Sequence, residues 1–454
     1  MRIAFLLHQF PALSETFILR QITGLIDLGH DVRIYAEYPC ESGGPLPDVR
    51  KYNLLRRTTY LGIPSDSGLY ELPVWPIWGA AWPADTGERI PNSRRIIRSL
   101  PTVMKCLANH PRLTHEALSS SHYGYQAASL SALYRLSALA SDDNQFDVLH
   151  AHFGPVGKSF RFARRLWRAP LVVSFHGYDF STWPLREGTQ AYAPLFDEAD
   201  LITVHSDYAD SKLRSLGCPT RLLRWLECGI DLNEFGFRER QPPVERPIRL
   251  LTVGRLVEKK GIAFSIRAVA QLIFEGCDLQ YEIVGDGPLR APLSRLAADL
   301  GVSSRITFSG AKDISFVRER MNESDLFILS SVTAADGDTE GTPVSLLEAQ
   351  ACGLPVVSTR HAGIPEIVRD NESGYLVPEG DEAALAAALR RMFDNGELWP
   401  KMGQSGRAFV GQRHDLSVLN RRLVQLYEEA VARYEVLGGS GGAHESIAIE
   451  ATSV

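Results

Sequence analysis

Short apolar runs alternate with segments of helical periodicity, and the alternation occurs twice along the chain. RIAFLL and PLVVSFHG are runs of the first half, and IRLLTVGRL and PVVSTR are runs of the second. This alternation is typical of a parallel sheet covered by helices on both faces. The polar, proline-rich stretch at 238–247 separates the two sets and predicts an interdomain linker. The sequence therefore predicts two α/β domains with a cleft between them, where ligands bind beyond the carboxyl ends of the strands.

The same pattern gives the expected domain bounds. We expect a first domain over residues 1–237, with a proline- and tryptophan-rich insertion at 41–115, and a second domain over 238–415. Leucines at helical spacing predict an amphipathic closing helix over 416–437. Residues 438–454 lack the apolar density of a folded segment, so we expect them to be disordered.

Composition excludes several classes of protein. The formal net charge of -6 argues against a general nucleic-acid binder. The 6 cysteines include no C-x-x-C pair, which is typical of a reduced, cytosolic compartment. The opening MRIAFLLHQF is unlike a signal peptide, and no stretch reaches the ~18 apolar residues that a membrane-spanning helix needs. We therefore expect a cytoplasmic protein that is not integral to a membrane.

Two carboxylates flank a Gly-Thr-Pro turn in the segment DTEGTPVSLLEAQACGLPVVST. Thr342 suits a helix N-cap and Pro343 suits the first helical position, so a short helix is predicted to begin here. Its N-terminus carries unpaired N–H groups and partial positive charge, which favour a phosphate. Glu340 and Glu348 can then face the same ligand and accept hydrogen bonds from its hydroxyls. An acidic cap followed by a solvated glutamate on an ordinary helix is the alternative.

Basic residues follow the first strand of the second domain. In VGRLVEKKGI, Arg255 stands at the end of the strand and Lys260 lies near the start of the next helix, where both can meet anionic oxygen. A solvated basic turn is the alternative. Gly285 and Gly287 lie in a second strand-end turn, where they could serve a close approach of the backbone.

Histidines lie at the strand ends of the first domain. They are His150 and His152 in LHAHFG, and His176 in SFHGYD, where Asp179 follows three residues later. A histidine at the mouth of a sheet can donate to an oxyanion or a hydroxyl, and Asp179 could orient His176. His150 could instead pack inside the domain. A metal site is disfavoured because no further cluster of ligands occurs at a suitable spacing.

Two helices of the first domain extend these expectations. Ser14 is the expected N-cap of the first helix, so that Ser14, Glu15 and Thr16 line the cleft.

The second helix, at 158–168, is expected to carry Arg161, Arg165 and Arg168 on one face. With the tryptophans at 75–82, this basic face could lie on anionic lipid headgroups. A packed helix with solvated arginines is the alternative.

Taken together, the motifs resemble retaining glycosyltransferases of family 4, which have the GT-B fold of two facing Rossmann-like parallel-sheet domains and a C-terminal helix that crosses back to the first domain. The resemblance rests on TVGRLVEKKGI, YEIVGDGPLR, ITFSGA, the E-x7-E element from Glu340 to Glu348, and GIPEIV, in this order. The opening HQFPALSETFILRQITGLIDLGHDV is similar to enzymes that assemble exopolysaccharide repeat units, including the colanic-acid type. Many members have paired glycines after the first strand, whereas this chain has HQFPALSET, so the contacts of that loop cannot be transferred.

The resemblance implies a role for each part of the site. Arg255 and Lys260 would neutralise the diphosphate of the donor, Glu340 would lie against the donor sugar, and His176 would contact the transferred sugar. The implied donor site consists of Gly254, Gly285, Gly287, Gly341, Thr342, Pro343, Val344 and Glu348, with Glu348 on the ribose. Apart from the resemblance, the strand-end positions of His152 and Asp179 and the place of Ser14, Glu15 and Thr16 at the start of the first helix make these five the expected acceptor side.

The expected reaction moves a sugar from a nucleotide-diphosphate sugar to a lipid-linked acceptor, with retention and without a metal or cofactor, at the inner face of the cell membrane. Since no well-placed nucleophile is evident, we expect attack from the leaving group's own side, guided by the departing phosphate. A sugar-nucleotide epimerase, a phosphorylase and a non-catalytic nucleotide-sugar-binding subunit are alternatives. A dinucleotide-dependent oxidoreductase is disfavoured because the first strand lacks G-x-G-x-x-G.

Overall fold

The computed structural model describes residues 1–12, 15–39, 47–61, 93–142 and 144–438. Within them, the strands form two parallel sheets, one of seven strands and one of six. Both sheets are covered by helices, so their central strands are buried on both faces and read as continuous apolar runs.

The first sheet has the strand order β3-β2-β1-β4-β5-β6-β7. At its centre, Phe5 of the first strand stands opposite Ile34 on one side and His150 on the other. The strands are β1 (Arg2–Phe10), β2 (Asp31–Pro39), β3 (Thr58–Tyr60), β4 (Val148–His152), β5 (Leu171–Ser174), β6 (Leu201–Val204) and β7 (Leu223–Trp225).

The second sheet has the order β10-β9-β8-β11-β12-β13. At its centre, Leu251 stands opposite Glu282 on one side and Phe327 on the other. The strands are β8 (Ile248–Val253), β9 (Leu279–Val284), β10 (Ile306–Gly310), β11 (Leu326–Leu329), β12 (Val356–Thr359) and β13 (Gly374–Val377).

Helices connect the strands, because neighbouring parallel strands need a crossover connection between them. Those before the second sheet are α1 (Thr16–Asp27), α2 (Pro47–Lys51), α3 (Ser93–Asn109), α4 (Pro111–Ala117), α5 (Ser120–Tyr123), α6 (Tyr125–Ala128), α7 (Ser131–Leu139), α8 (Gly154–Phe160), α9 (Ala163–Leu166), α10 (Thr182–Glu187), α11 (Ala193–Glu198) and α12 (Asp207–Ser215). Those that follow are α13 (Ile262–Phe274), α14 (Arg290–Asp299), α15 (Ile314–Glu323), α16 (Val344–Ala351), α17 (Ile364–Ile367), α18 (Glu382–Asp394), α19 (Trp399–Arg413) and α20 (Leu416–Val436).

The order of the strands reverses next to β1 in the first sheet and next to β8 in the second. In open α/β sheets, ligands bind at such switch points, beyond the carboxyl ends of the strands. The loops after β5 and β6 of the first sheet contact the loop after β11 of the second, since Gly177 lies against Gly341 and His205 bonds to Thr342, so each domain contributes residues to one site.

The chain crosses between the domains twice, and the two crossing segments lie side by side. The N–H of Ile230 donates to the carbonyl of His414 at 2.7 Å, and the N–H of Leu416 donates to the carbonyl of Ile230 at 3.0 Å. After this crossing, α20 packs on the first domain, because its Leu423 and Tyr427 are buried in the first domain's core. The prediction of a GT-B architecture with a returning C-terminal helix is therefore confirmed.

Parts of the chain differ from their expected character. The segment at 41–115 is not only an insertion, since its described residues include β3, which pairs with β2 as an edge strand. The linker at 238–247 is anchored, because buried Arg240 donates to the carbonyls of Met321 and Ser324. The tryptophans at 75–82 lie outside the described residues, as does the tail beyond Gly438. The domain bounds themselves stay a prediction.

Candidate active site

A buried ion pair lies at the carboxyl end of the second sheet. Lys260 follows the turn after β8, and its Nζ lies 2.7 Å from Oε1 of Glu340, with both side chains largely buried. Burial alone would raise the pKa of Glu340, but the charges of Lys260 and Lys259 prevail and lower it to about 2. The pair is therefore ionised, and it places one positive and one negative group in the cleft.

Arg255 lies in the same charged cluster. Burial lowers the pKa of its guanidinium, and the carboxylates of Glu340, Asp338 and Glu15 oppose that shift, in this order. Glu15 comes from the first domain and the other two acids come from the second. The structure thus brings together three of the four predicted catalytic residues, Arg255, Lys260 and Glu340, at the surface where the domains meet.

The loop that carries Glu340 is held by residues that the sequence analysis missed. The N–H of Glu340 donates to Nε2 of His361 at 3.1 Å, and Nδ1 of His361 bonds to the carboxylate of Glu379. Oγ of Ser331 also donates to Glu340, at 3.2 Å. His361 lies two residues after the end of β12, so its position near a strand end was the signal that could have identified it.

Gly341 and Thr342 contact the first domain. A Cβ at position 341 would lie 1.9 Å from the carbonyl oxygen of His176, so a side chain has no room there. Oγ1 of Thr342 lies 2.8 Å from Nδ1 of His205. The prediction that Thr342 is the N-cap of α16 is wrong: Pro343 occupies that position without a side-chain cap, because the Thr342 hydroxyl bonds across the cleft instead.

Glu348 lies inside α16, whose first residue is Val344. Glu348 does not pair with Lys260, which is the partner of Glu340. Instead, its Oε1 lies 3.4 Å from the guanidinium of Arg20, which belongs to α1 of the first domain. Burial raises the pKa of Glu348, and Arg20 opposes the shift. The two acids of the E-x7-E element therefore have different partners.

The glycine turns after β8 and β9 pack on each other. The N–H of Gly254 donates to the carbonyl of Val284 at 3.0 Å. A Cβ at Gly285 would lie 1.9 Å from the carbonyl oxygen of Gly254, and one at Gly287 would lie 2.6 Å from that of Leu256. These glycines therefore allow the two turns to approach closely, as the sequence indicated they could.

Four histidines form a row along the carboxyl ends of β4, β5 and β6. Nδ1 of His152 lies 3.0 Å from Nε2 of His176, and the two rings stack. His176 stacks in turn with His205, at 6.5 Å between ring centroids. His150 packs in the interior, between the hydroxyls of Tyr427 and Ser174, which was the structural alternative for this residue.

The histidines of the row are held neutral. Burial lowers the pKa of His150 to about 3 and that of His205 to about 4. Burial also lowers the pKa of His152 and of His176 well below 6.5, with neighbouring histidines adding to the effect. Near neutral pH, each ring therefore offers one donor and one acceptor nitrogen.

Asp179 does not orient the ring of His176, contrary to expectation. Its carboxylate accepts from the backbone N–H groups of Gly154, His176 and Gly177 at 2.7 to 3.1 Å. These bonds close the turn after β5, and they engage both oxygens of the carboxylate with backbone groups. The residue within reach of the His176 ring is His152.

The start of α1 lies near the charged cluster, because Glu15 and Arg255 interact. Ser14, the predicted N-cap, lies outside the described residues. Glu15 occupies the N-cap position without a side-chain cap bond, and Thr16 is the first helical residue. Burial raises the pKa of Glu15 to about 7, and the charge of Arg255 opposes that shift.

The predicted basic face at 158–168 does not form. The segment breaks into α8 and α9, and Arg161 between them is buried, 3.0 Å from Glu198. Arg165 forms an ion pair with Glu116, and of the three arginines only Arg168 is exposed. Acids distant in sequence neutralise Arg161 and Arg165, so the three arginines do not form one basic face.

The part of the chain that the structure describes contains neither a membrane-spanning helix nor a cluster of metal ligands. No helix there combines the length and the apolar character needed to cross a bilayer. Among the same residues, no group of three or more His, Cys, Asp or Glu side chains is arranged to hold a metal ion.

Family models match both halves of the chain. Residues 14–229 match a glycosyl transferase 4-like domain, and residues 235–409 match the glycosyl transferases group 1. The boundary between the two matches coincides with the crossing between the domains.

Similar proteins extend the match to nearly the whole chain. AmsK of Erwinia amylovora, an amylovoran biosynthesis glycosyltransferase, is 34% identical over 94% of this chain and 99% of its own length. WcaL of Salmonella typhimurium, assigned to colanic acid biosynthesis, is 34% identical over 94% of this chain and 100% of its own length. A GDP-mannose-dependent mannosyltransferase of Mycolicibacterium smegmatis that acts on phosphatidylinositol monomannoside is 31% identical over 62% of this chain and 77% of its own length.

Solved structures share the architecture. HepE of Anabaena in complex with UDP superposes with a TM-score of 0.64 at 18% identity, over 94% of this chain and 100% of HepE. Sucrose-phosphate synthase of Thermosynechococcus elongatus superposes with a TM-score of 0.63 at 19% identity, over 95% of this chain and 99% of that one. At these identities the likeness concerns the fold alone. The sequence matches and the paired Rossmann-like sheets together establish that this chain belongs to the glycosyltransferase family of the group 1 and 4-like type, with the GT-B fold.

Proposed function

We propose that the protein transfers a sugar from a nucleotide-diphosphate sugar to a lipid-linked acceptor in exopolysaccharide biosynthesis, with retention of the anomeric configuration. The observation that carries the proposal is the meeting of the two domains at one site, where Gly341 and Thr342, next to the Lys260–Glu340 ion pair, contact His176 and His205. The names of AmsK and WcaL support the pathway.

The charges of the cleft suit cleavage of a sugar–diphosphate bond. Negative charge develops on the leaving phosphate, and cations placed beforehand stabilise it by about 3 kcal/mol or more each. Arg255 and Lys260 would supply this charge, with the N-terminus of α16 as a further donor. We propose that these groups act without a metal ion, since Arg255 and Lys260 would supply two positive charges to the diphosphate.

Retention is proposed to proceed by attack from the leaving group's own side. A covalent route would need a carboxylate free to attack the sugar. Glu340 is paired with Lys260, and Asp338 is paired with Lys259 at 3.0 Å, so both acids are held by cations. The departing phosphate would then accept the acceptor's proton. Trapping a covalent glycosyl-enzyme on this chain would refute the proposal.

The lipid-linked acceptor is supported by an exposed apolar stripe on α3. Ile97, Leu100 and Met104 are 64%, 53% and 66% exposed, and their spacing places them on one face of the helix. The sequence of α3 contains Arg94, Arg95, Arg98 and Lys105 but no acidic residue. Apolar residues on one face of a basic helix favour binding at an anionic bilayer surface.

Transfer itself tests the main proposal. The purified protein would be incubated with UDP- and GDP-sugars and a lipid extract from an exopolysaccharide-producing cell. A labelled lipid product whose new bond keeps the donor's anomeric configuration by NMR is the expected result. Conversion of the donor with no acceptor would indicate an epimerase, and donor binding without any conversion would indicate a non-catalytic subunit.

Vesicle sedimentation tests the membrane contact. We expect the protein to sediment with phosphatidylglycerol-containing vesicles at low salt, and Met104→Glu to reduce the bound fraction. Phe274→Glu is the matched control, because Phe274 is 70% exposed on the second domain and lies outside the stripe. Equal loss in both variants, or no binding by the parent protein, would favour a soluble acceptor.

A further inference from the structure

Arg20 joins the two domains at the carboxylate that is proposed to bind the donor ribose. Its guanidinium lies 3.4 Å from Oε1 of Glu348 in α16 and 3.6 Å from Oε2 of Glu234, which belongs to the segment that crosses to the second domain. Arg20 thus stands between two acids, and its own helix, α1, belongs to the first domain.

The arrangement is buried and ordered by packing. Arg20 is 7% exposed and Glu348 is 5% exposed. The guanidinium also lies over the ring of Phe235, at 5.4 Å from the centroid. A buried charge is costly unless it is paired, so removing Arg20 would leave the buried Glu348 without its cation.

We propose that Arg20 is a donor-positioning residue, which holds the Glu348 carboxylate in place for the ribose hydroxyls and makes donor affinity depend on closure of the first domain onto the second. The inference rests on the proposed function, because it assumes that Glu348 binds the ribose. A carboxylate has about four lone-pair sites, so Glu348 can accept from Arg20 and from ribose hydroxyls at once.

The electrostatics predict opposite effects for the two neighbours of Glu348. Burial raises the pKa of Glu348, Arg20 lowers it and Glu234 raises it. The other groups that face this cluster are Arg318, 3.8 Å from Glu234, and the thiol of Cys352. The ribose hydroxyls need an ionised acceptor, so donor affinity is present above the pKa of Glu348 and is lost as the pH falls through it.

Two substitutions should therefore shift the acid limb of donor binding, which is the fall in donor affinity at low pH, in opposite directions. Arg20→Gln removes the group that lowers the pKa of Glu348, so the limb moves to higher pH. Glu234→Gln removes a group that raises it, so the limb moves to lower pH. A role of Arg20 in folding or packing alone would weaken binding at every pH and would not reverse in sign.

Titration calorimetry with UDP and GDP from about pH 5 to about pH 8 tests the inference. Below the pKa of Glu348, each unit by which a substitution shifts that pKa should change the affinity about tenfold. The variants are Arg20→Gln, Glu234→Gln and Arg20→Lys, which keeps the charge and should restore part of the limb. Arg390→Gln is the matched control, because it breaks an exposed ion pair with Glu275 far from the cleft.

The outcomes separate the inference from the proposed function. Limbs that move apart, with the control unchanged, support the role of Arg20. Uniform weakening by Arg20→Gln, or a shift of both limbs in one direction, overturns it while Glu348→Gln still weakens binding. If Glu348→Gln binds both nucleotides as tightly as the parent protein, the ribose role in the proposed function fails, and the inference fails with it.

Discussion

The ammonium of Lys260 and the carboxylate of Glu340 form one buried ion pair, at 2.7 Å, across 80 positions of sequence. The cation proposed to receive the leaving phosphate and the acid proposed to face the donor sugar therefore constrain each other. A substitution at either position alters the charge state and the position of the other, so their effects on transfer should not be additive.

Lys260→Ala should lower kcat by orders of magnitude, because it removes a cation from the leaving phosphate and leaves Glu340 without its partner. Steady-state transfer assays measure the effect, and Lys401→Ala, at an exposed position of α19, is the control. The double variant with Glu340→Ala should lose less than the sum of the two single losses. Transfer at the parental rate by Lys260→Ala would remove the role assigned to this residue.

Glu340→Gln should destabilise the fold at neutral pH by about 3 kcal/mol, since a shift of the pKa from 4.5 to about 2 favours the ionised folded state by about 1.4 kcal/mol per unit. The folded pKa is depressed, so this stability is present above about pH 4.5 and is lost as the pH falls towards 2. Urea unfolding of both proteins at about pH 7 and about pH 3.5 measures it. A difference that stays constant between these pH values would contradict the assignment.

Gly341→Ala should reduce transfer strongly with little change in Tm, because the added Cβ meets the carbonyl of His176 and keeps the domains apart. Small-angle scattering should then show a larger radius of gyration. Gly236→Ala is the control, since no atom lies within 4 Å of a Cβ there. If Gly341→Ala closes and transfers like the parent protein, the contact between the two loops is not required.

The ring signals of His150, His152, His176 and His205 should not titrate between about pH 8 and about pH 6.5, because burial holds the pKa of each well below its ordinary value. NMR of protein labelled in the histidine rings measures this. It follows that none of the four should set an acid limb on kcat in that range. A midpoint inside the window for any of them would show that the row opens to water.

Much of the fold was predictable from sequence. The apolar runs that the sequence analysis quoted, such as RIAFLL and PVVSTR, all became strands, because a strand buried on both faces needs a continuous apolar run. The strands it missed, β3, β7 and β13, have only three or four residues and lie at the sheet edges. Such short runs carry little periodic signal.

The site was predictable in its members but less so in their contacts. Arg255, Lys260 and Glu340 were identified from strand-end positions and motif spacing, and they do cluster. The partner of Thr342, the bond from Gly154 to Asp179 and the holding role of His361 were not foreseen, because each depends on a residue from another loop.

The sequence by itself determined that this chain forms two parallel sheets whose strand-end loops carry cations, acids and histidines. Those features follow from local periodicity and turn chemistry, which a single chain displays directly. Only the tertiary structure decided which charges pair: Lys260 with Glu340, and Arg20 with Glu348, which stand 328 positions apart. Charge pairing depends on distance in space and on burial, and neither is encoded in the spacing of residues along the chain.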